Sequence, residues 1–187
     1  MVLKVIAFLS IAVAGAQAAT LDLSPVPHTT QIEGGVIQDT AFRNGLDLVL
    51  FQPPAQWQAS GEASRVTFRA PTAGAEITIT AHPKPRTNTF DEETLKALKA
   101  ELMSRLPRDA TKLEWGEDQP GMVLLNRHDT YRVELAYTSA NQRFKATTVF
   151  CNFAAQQLRF QLTCREGDFN DLLGLFKSSV ASFQGLE

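Results

Sequence analysis

Four segments of the C-terminal half, 121–129, 130–138, 143–152 and 158–164, constrain this chain more than any other feature. "GMVLLNRHD", "TYRVELAYT", "RFKATTVFCN" and "LRFQLTC" are rich in β-branched and aromatic residues, which suit a pleated, half-buried backbone. The links between them, at Asp129, at "SANQ" and at "AAQQ", are only a few residues long. A parallel crossover needs a dozen or more residues, so these strands are expected to pair antiparallel. "TKLEW" stands ahead of them as an additional strand.

The flanking segments supply the rest of an α+β fold. "FRNGLDLVLFQPPAQW" combines a turn at Asn44-Gly45 with a strand in which Leu46, Leu48 and Leu50 share one face and Asp47 and Val49 the other. Pro53-Pro54 stop that strand, and Trp57 follows as an expected core anchor. "RVTFRAP" and "AEITITAHP" read as two short strands, with Val66, Phe68, Ile77 and Ile79 marking the buried face. In "TNTFDEETLKALKAELMSRLP" the spacing of Leu95, Leu98, Leu102 and Leu106 predicts an amphipathic helix. Thr89 is its expected N-cap, Glu92 completes a capping box and Pro107 closes it. The acids Asp91, Glu92 and Glu93 suit the positive end of the helix dipole and need no metal to explain them. Phe169, Leu172, Leu173, Phe176, Val180 and Phe183 make one face of a second helix, expected to pack on the sheet.

The first residues read as a secretory signal peptide over 1–18. Lys4 precedes an apolar run from Val5 to Gly15, and Ala16-Gln17-Ala18 gives the small-x-small cleavage pattern. The run is shorter than the ~20 residues a spanning helix needs, so no membrane span is expected after cleavage. No cysteine near the cut could carry a lipid anchor. Residues 19–41, with Pro25, Pro27, Gly34 and Gly35, read as an extended N-terminal arm, and 42–187 as a single domain. Without Lys4 the chain has 17 basic against 20 acidic residues. That balance offers no basic footprint for nucleic acid and no polybasic membrane patch.

The order of elements resembles the Mog/PsbP-like superfamily over roughly 42–183. The resemblance rests on the strand after "NGLDLVL", the Pro…Trp57 step, two strands, a capped helix, an antiparallel meander and a terminal helix ending in "SVASF". It implies an antiparallel sheet flanked by helices, an α/β/α sandwich, and a binding or accessory role. The metal-binding residues of the plant photosystem branch have no counterparts that can be matched here, and an exported chain is a poor candidate for binding Ran.

Cys151 and Cys164, the only cysteines, flank the last hairpin. A turn at "AAQQ" sets Cys151 opposite about Phe160 and Cys164 opposite about Thr147. Four residues of offset is roughly 13 Å along a strand, too far for a disulfide. A turn centred on Gln157 and Leu158 sets them face to face but breaks the alternation of Leu158, Phe160 and Leu162. Two cysteines in an exported chain usually pair, so a structural disulfide and a pair of buried thiols both stand. The C-x-x-C of a redox centre is missing, and the thiols lack the histidines of a zinc site.

Among other chemistry, Arg127, His128, Asp129 and Tyr131 form the densest polar group. "HPKPRTNT" reads as a Pro-stiffened connector. No G-x-S-x-G elbow, phosphate-binding glycine loop or H-E-x-x-H is present. The sequence therefore reads as an exported, non-enzymatic accessory or binding protein of the cell envelope, periplasmic or secreted. It is expected to use no cofactor and no metal, and to meet another envelope protein or a small ligand. The alternatives are a hydrolase-like envelope enzyme with a site near His128 and Asp129, and a structural envelope component.

Overall fold

The computed structural model describes residues 20–33, 35–72, 74–85, 89–121, 125, 128–153 and 155–183. The signal segment, 1–18, lies outside the described residues. Residues 19–41, expected as an extended arm, supply β1 (Asp22–Ile32) and most of β2 (Gly35–Asn44). These pair antiparallel, and β3 (Asp47–Phe51) completes a three-stranded sheet in the order β1-β2-β3. The Asn44-Gly45 turn forms as expected, with Gly45 at φ +64°, where glycine has no Cβ penalty. The leucine face is inverted, however. Val49 and Phe51 are buried, while Leu46 and Leu48 lie open to solvent. Phe42, the register partner of Val49, explains this: Phe42 and Phe51 contribute larger apolar surface to the core than the leucines would.

The second sheet has seven strands: β4 (Gln58–Glu62), β5 (Arg65–Arg69), β6 (Glu76–Pro83), β7 (Thr111–Pro120), β8 (Thr130–Ser139), β9 (Gln142–Asn152) and β10 (Gln156–Arg165). Its order is β4-β5-β6-β10-β9-β8-β7, and each neighbouring pair is antiparallel. The "SANQ" link is a tight hairpin, with Ala140 and Asn141 both at positive φ. The strand paired with β8 on its outer side is β7, longer than "TKLEW" and not the segment 121–129. Much of that segment lies outside the described residues. His128 N–H donates to the Leu125 carbonyl, and these two residues bridge in isolation.

The last hairpin turns earlier than "AAQQ" suggests. Phe153 N–H donates to the Gln156 carbonyl at 2.9 Å, and Gln157 Nε2 donates to Asn152 Oδ1 at 2.8 Å. Gln156 and Gln157 thus belong to β10, because the Gln156 carbonyl and the Gln157 side chain are both bonded across the ladder. Cys151 faces Leu158, and Cys164 faces Lys145. The cysteines are separated by roughly 20 Å along the strands, beyond disulfide reach. Both are free and buried, which corrects the disulfide expectation and leaves two buried thiols.

Helix α1 (Glu92–Ser104) starts at Asp91 rather than Thr89. Thr94 N–H donates to Asp91 Oδ1 at 2.8 Å, and the Thr89 hydroxyl donates to the other carboxylate oxygen at 3.4 Å. A carboxylate at the positive end of the dipole is the stronger acceptor, so the cap moves two residues inward. After a short 3-10 turn at Glu166–Asp168, α2 (Phe169–Ala181) follows β10 directly. None of the helices among the described residues is long and apolar enough to cross a membrane.

The α+β class is as expected, but sheet dominates. One face of the seven-stranded sheet, carrying Val66, Phe68, Ile77, Ile79, Phe160 and Leu162, is buried jointly by the three-stranded sheet and α2. Phe183, just past α2, joins these layers, with ring centroids 5.2 Å from Phe160 and about 6.4 Å from Phe42. On this same face β8 buries an ion network. Arg132, 2% exposed at its side chain, bonds Glu134 at 2.8 Å and reaches Glu117 on β7. Glu134 also takes Lys145 at 2.9 Å. On the opposite face Leu98 and Leu102 of α1 pack on Tyr131, Val133 and Phe150.

Candidate functional site

The register of β5, β6, β10, β9 and β8 lays out the face beneath α1 in rows. One row runs Arg65, Thr80, Arg159, Phe150, Tyr131. The next runs Thr67, Thr78, Gln161, Thr148, Val133, and the third Arg69, Glu76, Thr163, Ala146, Leu135. Each row passes from polar at β5 to apolar at β8. The hydrophobic stripe of α1 covers the apolar end and leaves the polar end open. A groove of about 480 Å³ results, floored by Thr78, Thr80, Thr148, Gln161 and Thr163. Arg65, Arg105 and Arg159 stand around it, and Leu102, Leu106 and Pro107 of the α1 end form its apolar wall.

Glu101 on α1 organises two of the three arginines. Arg105 Nη2 donates to Glu101 Oε1 at 2.6 Å, and Arg159 Nη1 lies 2.7 Å from the same oxygen. The Arg159 guanidinium, mostly buried, also donates through Nε to Gln157 Oε1 at 2.8 Å and sits 5.5 Å from the Phe150 ring. Arg159 first, and Arg105 after it, hold the Glu101 carboxyl below its usual range against the opposing effect of burial. Arg69 is drawn to Glu76 at 3.8 Å. Arg65 has no ion-pair partner among the described residues. Beside the groove His82 is neutral: burial, then the charges of Arg159 and Arg105, bring it down to about 4, with Nε2 3.0 Å from the Thr80 hydroxyl. Two hydroxyls, Thr67 and Thr78, bond each other at 3.3 Å. Fixed cations and neutral hydroxyl and amide donors around one hollow can hold a carboxylate or phosphate through charge-assisted hydrogen bonds.

The residues singled out in the sequence are dispersed. Arg127 lies outside the described residues. His128 places its ring 4.8 Å from Phe153, against the core shared with α2. Tyr131 is in the other core cluster, 5.4 Å from Phe90, and its hydroxyl bonds Asp118. Burial and that carboxylate push the Tyr131 phenol up to about 12. Asp129 is exposed. Burial, aided by Asp129, pushes the Cys151 thiol up to about 12, and burial with Asp168 takes Cys164 to about 11. Neither thiol is ionised near neutrality, as a nucleophile requires. Among the described residues no group of three or more His, Cys, Asp or Glu side chains could hold a metal.

Arg65, Arg105 and Arg159 come from separate elements, so sequence spacing does not group them. Alternation did carry a signal. Thr67, Thr78, Thr80, Gln161 and Thr163 occupy every second position between apolar residues, which marks one polar sheet face. A wider, open hollow of about 820 Å³ lies between the β1–β2 hairpin and Trp57. Its His28 and Asp39 are both tied to the Thr30 hydroxyl, and no cluster of like charges faces it.

No family model matches the chain, and no curated protein matches it. Among solved structures it is similar to PA94 of Pseudomonas aeruginosa, a protein of unknown function and candidate regulator. The TM-score is 0.53 at 12% identity, over 86% of this chain and 98% of that one. The PsbP protein of the cyanobacterium Synechocystis, CyanoP, is also a neighbour, at a TM-score of 0.46 and 12% identity over 92% of this chain and 96% of that one. The likeness to PA94 is one of fold and carries no role with it.

Proposed function

We propose that this chain is an exported, non-enzymatic accessory or binding protein of the cell envelope, and that it takes a small anion in the groove at the end of α1. The observation that carries the reading is the convergence of Arg65, Arg105 and Arg159 on one hollow floored by hydroxyl and amide side chains. A site built to hold an anion needs cations and donors, and the groove contains both, with the Glu76 carboxylate also in its lining. Acyl or phosphoryl transfer would also call for an activated nucleophile beside a base. The thiols are buried and protonated, and His128 packs on Phe153 of one core cluster while Tyr131 lies in the other. Membership of the Mog/PsbP-like superfamily, with its helix-flanked sandwich, belongs to the same proposal. It is supported by the order of capped helix, meander and terminal helix.

Thermal unfolding with inorganic phosphate or acetate, against sodium chloride at equal ionic strength, tests the anion site. Specific binding raises the midpoint as ligand exceeds its Kd, and R65Q, at an exposed position without an ion-pair partner among the described residues, removes most of the rise. Equal midpoints in all salts, or an unchanged rise in R65Q, would sink the reading. Fractionation of the host cell, with the mature N-terminus sequenced, tests export.

A further inference from the structure

We infer that the ligand is amphipathic: an anionic head, carboxylate or phosphate, joined to a compact apolar tail. This rests on the anion groove proposed above and extends it. A second hollow, of about 390 Å³, adjoins the first. Glu76, Pro107, Tyr137 and Thr163 line both, so the two are one continuous trough along the sheet. Its character changes along its length. Beyond the shared residues the lining includes Ala70, Ala75 and Phe144 beside Arg69 and Ser139, and Tyr137 and Phe144 are register partners with rings stacked at 5.6 Å and 20°. Small alanines leave the space, and flat rings with Pro107 give it an apolar wall.

The charges fix which way round the ligand lies. Arg65, Arg105 and Arg159 surround the end nearer α1. Glu76 stands at the junction and repels an anion placed midway, and the cation that lines the far hollow, Arg69, is drawn to that carboxylate at 3.8 Å. The head therefore lies at the α1 end and the tail over Tyr137 and Phe144. From the Arg159 row to the Phe144 row, whose β10 partner is Arg165, the strand advances six residues, roughly 20 Å. Arginine side chains reach over part of that span, so a tail of about ten atoms fills the remainder. The hollows have the scale of a small-molecule site, not of a macromolecular groove.

The test is calorimetric titration of the purified chain with acetate, hexanoate, decanoate and decyl phosphate, below their micellar concentrations and at equal ionic strength. Affinity is expected to rise with tail length, by up to about fourfold for each methylene that is buried. A70Q, which narrows only the second hollow, should cut decanoate affinity at least tenfold and leave acetate unchanged. Acetate binding as tightly as decanoate would overturn the amphipathic ligand and spare the anion groove. Decanol binding as tightly as decanoate would overturn the anion groove itself. Equal decanoate affinity in A70Q and the natural chain would place the tail elsewhere and also overturn the inference.

Discussion

Glu101 restrains the groove that its neighbours create, because one carboxylate oxygen serves both Arg105 and Arg159. E101Q should free two guanidiniums for a ligand and strengthen anion binding several-fold, read by titration calorimetry, while lowering stability by about 1 kcal/mol. Its neighbour His82 makes stability depend on pH. The folded value of about 4 lies below the ordinary 6.5, so between these values the unfolded chain binds more protons than the folded one. Stability is therefore fully present above about pH 6.5 and falls as pH drops towards 4. Urea midpoints measured across that window should show the fall, and H82Q should flatten it. Glu101, depressed in the fold, adds a loss in the same direction at lower pH. On the other face, R132A leaves the buried Glu134 with Lys145 as its one remaining cation partner among the described residues, and should cost about 3 kcal/mol in urea unfolding. The thiols supply a chemical check: Cys151 and Cys164 should resist a thiol reagent in the native state, and both should react once the chain is denatured. Side-chain pairings of this kind were invisible in the sequence, since Arg132 and Arg159 sit at alternating positions that read equally well as solvated.

The elements were more legible than their partners. The helices, the central strands and the "SANQ" hairpin announce themselves through periodicity and turn residues, which are local properties. The β1–β2 hairpin did not, because Pro25, Pro27 and paired glycines mask strand character that arises only when β3 and the core are in place. Strand β4, "QASGE", is exposed throughout and has no alternation to read. It is held by close approach to β5: a Cβ on Gly61 would meet the Arg65 carbonyl oxygen at 2.4 Å and Val66 Cα at 2.6 Å. G61A should therefore disrupt the β4–β5 hairpin, seen as faster amide exchange at residues 58–69 with the rest of the sheet retained. Phe183 has the wider reach, touching both sheets. F183A should cost about 3–5 kcal/mol in chemical unfolding, because the cavity falls where layers meet and neither sheet can close it alone.

At the scale of the whole molecule, the groove is a by-product of incomplete cover. One helix spans the apolar end of a sheet face whose rows grade from threonine and arginine to valine and leucine, and what it leaves bare is chemically distinct from what it hides. Fold class could be foreseen because burial patterns repeat along each strand. The site could not, because it depends on register between strands distant in the chain. That same register has a consequence in time. The centre of the large sheet joins β6, ending at Pro83, to β10, which begins at Gln156. No local hairpin can substitute for that seam, and contacts of such long range form slowly. During synthesis the early strands must wait, unpaired on one side, until almost the whole chain has left the ribosome. The large sheet is thus closed from its middle by its last-made strand, and a truncation before residue 156 would leave two unjoined halves of a sheet in place of a smaller version of the fold.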